Sequence, residues 1–144
     1  MTWYILDSDH VTLQQRRHPV VVRRLADVSS AHVFVSIVTV EEQLRGWLAL
    51  IRRAPAPERL IAAYASLHRA VGYFAQVNIL DYSVDAANHF AALRAQRIRI
   101  GTQDLRIAAM TLAVGGILVT RNRVDFQQVP GLFLEDWSEM ISAC

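Results

Sequence analysis

In Ile5-Leu6-Asp7-Ser8-Asp9-His10-Val11, two acids stand one residue apart directly after an apolar run. An Asp-x-Asp in that position suits three kinds of chemistry. The first Asp can be a phosphatase nucleophile with the second as its acid/base partner, both can be oxygen ligands of a metal-dependent nuclease, or one can cap the helix that follows. Asp104 opens a helical segment, and Asp125 follows another apolar run by way of Thr120-Arg121-Asn122-Arg123-Val124. Each acid also has a purely structural reading. Asp9 and Asp125 can cap helices, and Asp104 fits a first helical turn, where the dipole favours an anion. Glu42 lies opposite the apolar stripe of its own segment, which by periodicity alone exposes it to water, but Thr39, Glu42 and Gly46 form a second stripe of polar or small residues that could line a cleft. Gly46 would permit the close approach of another element there. Its neighbour Glu41 has an ordinary role, because Glu41 and Arg45 make an i, i+4 pair in the favourable order.

These residues need elements that bring them together. Trp3 to Leu6, Val33 to Val35, Asn78 to Leu80, Ile117 to Val119 and Leu132 to Leu134 read as short, almost continuously apolar strands, the pattern of strands buried on both faces. Between them, Val40, Leu44, Trp47, Leu48 and Ile51 mark one helix, about Thr39 to Arg52. Leu60, Tyr64, Leu67, Val71 and Phe74 mark a second, Pro57 to Phe74, which begins after Ala54-Pro55-Ala56-Pro57. The two should form a helical hairpin. A third helical period, Leu105, Ala108, Ala109, Leu112 and Ala113, stops at Gly115-Gly116. Alternating strands and helices predict an α/β chain whose parallel sheet is covered on both faces, with the binding crevice at the carboxyl ends of the strands. Asp7, Asp9 and Asp125 belong at that rim.

Composition narrows the classes. The 144 residues are 53% hydrophobic, enough for one domain spanning 1–144 with a substantial core. No apolar run reaches the ~20 residues of a membrane span and the N-terminus lacks a signal-peptide pattern, so a cytoplasmic protein with no membrane attachment is expected. A single cysteine, Cys144, offers neither a disulfide framework nor a cysteine-rich zinc site. All 15 basic side chains are arginine, for a net charge of +2. The five histidines show no metal-binding spacing and fit surface or packed roles, while Trp3, Trp47 and Trp137 fit core or interface positions.

The order of motifs resembles the PIN-domain nucleases, and more narrowly the VapC-type toxins of bacterial toxin–antitoxin pairs. The residues that carry the resemblance are Leu6-Asp7-Ser8-Asp9, Ser36-Ile37-Val38-Thr39-Val40-Glu41-Glu42-Gln43-Leu44-Arg45-Gly46, Ile100-Gly101-Thr102-Gln103-Asp104-Leu105-Arg106, Leu118-Val119-Thr120-Arg121-Asn122-Arg123-Val124-Asp125-Phe126 and Val129-Pro130-Gly131-Leu132. They run almost end to end. The resemblance implies a three-layer α/β/α sandwich with a central parallel sheet and an acidic pocket that binds Mg²⁺ or Mn²⁺ to hydrolyse RNA. It makes Asp7, Glu42, Asp104 and Asp125 the four metal-binding, catalytic acids, with Glu42 and not Glu41 in the family's frame. Thr120 and Asn122 would support the site, Asn122 by bracing it. Ser8 stands where threonine is more usual and Gln43 intrudes before Leu44, departures that leave the four acids intact.

Hydrolysing a phosphodiester directs water at an anionic phosphorus while charge grows on the leaving oxygen, and a divalent cation meets both needs. Mg²⁺ is hard and keeps several waters, so a few carboxylates round an open site suit it. Clustered acids repel one another and hold protons at neutral pH unless a cation is present. Asp7 and Asp104 are expected as its main ligands, with Glu42 and Asp125 orienting the attacking water or holding a second ion. Asp9 would add an outer contact, with helix capping as its principal role. Arg97, Arg99, Arg121 and Arg123, close in sequence to the third and fourth acids, are candidate RNA phosphate contacts. The resemblance further implies a small antitoxin lying across the apolar hairpin, and a homodimer. Three alternatives remain from sequence: a nuclease of this fold in RNA processing, a haloacid-dehalogenase-like phosphatase using Asp7 and Asp9, and a silent binding module. The phosphatase ordinarily needs a lysine for its phosphate, and this chain has none.

Overall fold

The computed structural model describes residues 1–140; Cys144 lies outside them. Five strands, β1 (Tyr4–Leu6), β2 (Val33–Ser36), β3 (Asn78–Leu80), β4 (Ile117–Val119) and β5 (Phe133–Glu135), form one sheet in the order β3-β2-β1-β4-β5, with every pairing parallel. In β1, Tyr4, Ile5 and Leu6 pair with Val33, Phe34 and Val35 on one side and with Ile117, Leu118 and Val119 on the other. The chain builds outward from β1 to β3, then returns to place β4 on the free side of β1. That reversal opens a crevice at the carboxyl ends of β1 and β4.

Among the described residues seven α-helices accompany the sheet: α1 (Ser8–Gln15), α2 (Pro19–Ala26), α3 (Ile37–Arg53), α4 (Pro57–Gln76), α5 (Val84–Ala95), α6 (Thr102–Ala113) and α7 (Arg123–Phe126). Successive strand residues face opposite ways, and two cores result. Ile5, Leu118 and partly buried Phe34 pack with Ala86 and Leu93 of α5 and Leu105, Ile107, Ala108, Ala109 and Met110 of α6. Leu6, Val35 and Val119 pack on the other face with Val11, Val40, Ala70, Phe74 and Trp137. The sheet is thus sandwiched between helices, as its unbroken apolar runs require.

Two glycines make the close return from α6 to β4. Gly115 has a φ of +62°, and a Cβ on Gly116 would stand 2.6 Å from Ile5 Cδ1 and 3.0 Å from the Trp3 carbonyl oxygen. The predicted strands shift only at their ends, β1 beginning at Tyr4 and β5 running to Glu135 instead of starting at Leu132. The helical hairpin forms as α3 and α4, but the buried face of α4 is Ala63, Ala70 and Phe74, while Tyr64 and Val71 of the predicted stripe are 55% and 53% exposed. Small residues at a close helix–helix or helix–sheet seam displaced the larger ones outward, a choice that a hydrophobicity stripe does not distinguish.

Candidate active site

Asp7 is the first residue beyond β1, and its amide donates to the Val119 carbonyl, extending the β1–β4 ladder to the edge. It is also the N-cap of α1: the Ser8 amide donates to Oδ1 at 2.9 Å. The Thr120 hydroxyl, at the end of β4, donates to Oδ2 at 2.8 Å, and Asn122 N–H donates to that hydroxyl at 3.0 Å. Both Asp7 oxygens are therefore aimed by groups on the sheet edge. The carboxyl is only 6% exposed. Burial, then the negative charge of Asp9, and more weakly that of Asp104, push its pKa up to about 6, against the pull of the Thr120 and Ser8 hydrogen bonds.

Asp9 does not cap α1, contrary to expectation; Asp7, two residues earlier, holds that place. Asp9 instead turns its carboxylate across the crevice. Its Oδ2 accepts from the Arg121 amide at 2.9 Å and lies 3.4 Å from the Thr120 hydroxyl, whose single proton serves Asp7. Its Oδ1 is 2.7 Å from Nδ1 of fully buried His10. Asp9 thus clamps the turn after β4.

Glu42 sits in the second turn of α3. The N-cap of that helix, Ser36, ends β2, and its hydroxyl accepts from Thr39 N–H at 3.1 Å. Thr39 is fully buried, and its hydroxyl bonds with those of Ser36 and Ser8, tying the starts of α3 and α1 together behind Asp7. Glu42 is half-buried, and its Oε1 is buried with no hydrogen-bond partner among the described residues. Burial, then Asp104, then Glu41 raise its pKa, with Arg45 opposing. Gly46, the third member of the proposed stripe, meets nothing: no atom lies within 4 Å of where a Cβ would stand, so no element approaches it closely. It borders a separate cleft of about 720 Å³ between α1, α3 and α4, with Trp47, Tyr73, Arg16, Arg53 and Arg69. Those arginines were not singled out in the sequence, because they lie far apart along it.

Asp104 occupies the first turn of α6, as expected, and its pKa is raised by burial, then by Asp125 and Asp9. Asp125 is in α7, but Asn122 supplies the cap there, accepting from Asp125 N–H at 3.4 Å while its Nδ2 donates to Asp125 Oδ2 at 3.0 Å. Glu41 is exposed, accepts from Arg45 at 3.0 Å and from Gln103 Nε2 at 2.9 Å, and so links α3 to α6 at the rim. Arg121 and Arg123 lie exposed beside this rim, and Arg97 and Arg99 are exposed in the segment between α5 and α6.

Asp7, Asp9, Glu42, Asp104 and Asp125 therefore share one field: each raises the proton affinity of at least one other or has its own raised. They do not converge on one point. Among the described residues no three His, Cys, Asp or Glu side chains are close enough to hold a single ion as they stand. A hard cation held by one or two carboxylates, with water in its other positions, asks for less than that.

A tRNA(fMet)-specific endonuclease VapC of Shigella flexneri is 30% identical over 142 residues, covering 96% of this chain and all of that one. The chain belongs to the VapC family. A ribonuclease VapC2 of Haemophilus influenzae is likewise 30% identical, over 95% of this chain and 99% of its own. The crystal structure of DNA-bound VapBC from Salmonella typhimurium matches with a TM-score of 0.74 and 27% identity, over 95% of this chain and 99% of that one. No family model matches. The VapC likeness thus covers nearly the whole chain.

Proposed function

We propose that this VapC chain is a Mg²⁺- or Mn²⁺-dependent endoribonuclease, the toxin of a toxin–antitoxin pair. The observation that carries this reading is the buried Oε1 of Glu42, partnerless among the described residues and in the field of the raised Asp104: an acceptor left without a donor, beside like charge, suits a cation. The donor set is oxygen only, which selects a hard metal. Asp7 and Asp104 would hold it, and Glu42 and Asp125 would complete its water shell or hold a second ion. When bound, such an ion lowers the pKa of attacking water and offsets charge on the leaving oxygen. The chain's own contribution is orientation: Ser8 and Thr120 fix Asp7, Asn122 fixes Asp125, and Arg121, Arg123, Arg97 and Arg99 contact phosphates along the rim.

Asp9 argues against the phosphatase alternative. In that chemistry the second Asp must exchange protons with the leaving group, whereas Asp9 is occupied by His10 and by the Arg121 amide. The test is cleavage of a mixed RNA pool beside a phosphomonoester control. Cleavage should stop with chelator, return on adding Mg²⁺ or Mn²⁺, and leave the monoester untouched; metal-independent cutting, or turnover of the monoester alone, would refute the reading.

The related structure is a VapBC complex, and an antitoxin is the proposed occupant of the hairpin's outer face, where Leu48, Leu50, Leu60, Ile61, Tyr64 and Val71 are exposed. Expression of the chain alone should arrest growth and co-expression of its partner should relieve the arrest. Ile61→Asp, on a side chain 70% exposed, should leave cleavage intact yet weaken that relief. Full relief by the partner would place the interface elsewhere.

A further inference from the structure

The acid site has a support that none of its own residues supplies. His10 lies in the first turn of α1, fully buried, with both ring nitrogens engaged. On one side Nδ1 meets Asp9 Oδ1 at 2.7 Å. On the other, the Trp137 backbone N–H donates to Nε2 at 3.1 Å. A second acid, Asp136, approaches Nε2 at 3.4 Å, but the same Asp136 oxygen already accepts from the Ser138 amide at 2.8 Å and the Ser138 hydroxyl at 2.6 Å. A nitrogen that accepts from an amide carries no proton, so the imidazole proton is on Nδ1 and is donated to Asp9.

This makes a relay of fixed partners. Trp137 is itself locked, 1% exposed, its indole N–H donating to Glu135 and its ring against Tyr4. It sets the tautomer of His10; His10 fixes one oxygen of Asp9; the other oxygen of Asp9 holds the Arg121 amide in the turn that carries Thr120, the donor to Asp7. We propose that His10 is a positioning residue for RNA cleavage, held as the Nδ1–H tautomer by the Trp137 amide so that Asp9 clamps the Thr120–Arg121 turn beside Asp7. The inference rests on the nuclease reading, although its geometry stands apart from it.

Two substitutions separate the two faces of the ring. The amide nitrogen of asparagine falls near the position of Nδ1 and the carbonyl oxygen of glutamine near that of Nε2. His10→Asn therefore keeps the donor to Asp9 and loses the acceptor for Trp137, and His10→Gln does the reverse. Each loses one buried hydrogen bond, so a merely structural role would weaken both alike. His10→Gln should lower kcat by roughly tenfold or more with little change in KM, and His10→Asn should remain within about twofold of the parent. The Arg121 amide resonance should move in His10→Gln and in Asp9→Asn but not in His10→Asn. In the unmodified protein, ¹⁵N shifts of the ring should identify Nδ1 as the protonated nitrogen. Protonation on Nε2, an unmoved Arg121 amide in His10→Gln, or equal losses of kcat in the two variants would overturn the proposal. An unmodified protein that cuts no RNA would instead refute the nuclease reading, with the two resonance measurements still deciding the role of His10.

Discussion

Asp7→Asn is expected to melt higher at neutral pH than its parent and to cut RNA at least about a thousandfold more slowly. Both effects come from one buried carboxylate. Asparagine keeps the capping geometry, since its oxygen still accepts from Ser8 N–H, and the Thr120 hydroxyl can reverse to accept from the new amide. What disappears is a charge that the folded state holds at a cost. The folded pKa of about 6 lies above the ordinary 3.8, so the folded form binds the proton more tightly than the unfolded chain does. Stability from this group is complete below the unfolded value and is lost as pH rises through about 6; at pH 7 the penalty is on the order of 2–3 kcal/mol. Metal-free parent should therefore lose stability between about pH 4 and 6.5, and Asp7→Asn should lose less, keeping only the part that the raised Glu42 and Asp104 contribute. Thermal melts across this range in chelator check the first effect and single-turnover cleavage the second. A variant that melts lower than its parent at pH 7 would show that Asp7 is not strained by burial, and one that cuts within tenfold of the parent would show that Asp7 is not needed for cleavage.

The same residue shows what a sequence can disclose about such a site. Its place was legible because it follows a strand that is apolar on both faces, and the parallel sheet with its crevice follows from five such runs separated by helical periods. The roles of Asp7 and Asp9 within one helix turn were not. Capping depends on backbone angles at the strand-to-helix junction, and Ser8 and Thr39 pull that junction so that Asp7 takes the cap while Asp9 points across to Arg121. α2 and α5 were not apparent either. In α5 apolar and polar residues are distributed round the helix, and full burial is confined to Ala86 and Leu93. His10 carried no signal at all, since its partners Asp136 and Trp137 lie at the far end of the chain. Glu42 was assigned from a resemblance, where periodicity alone pointed to solvent. The structure departs from that periodicity: α3 begins directly after β2, and Glu42 in its second turn is half-buried in the field of Asp104.

Glu41 and Glu42 then give the sharpest contrast available in this chain, two adjacent acids of equal charge with opposite surroundings. Glu42→Gln should reduce cleavage by roughly a hundredfold to a thousandfold, because it removes the charge that makes the orphaned Oε1 useful to a cation and leaves an amide in its place. Glu41→Gln should remain within a few-fold of the parent. Its pairing with Arg45 is exposed, a contact worth about 0.3–0.5 kcal/mol, and glutamine can still accept from Gln103. One further consequence separates the two by sign. Glu41 raises the proton affinity of Glu42, so removing its charge lets Glu42 ionise at lower pH. The acid limb of the cleavage profile should accordingly shift to lower pH in Glu41→Gln, whereas Glu42→Gln should be low throughout. If Glu41→Gln proved the more damaging, the face of α3 that overhangs the crevice would be the one carrying Glu41, and the carboxylates grouped here would not be the ones that act on RNA.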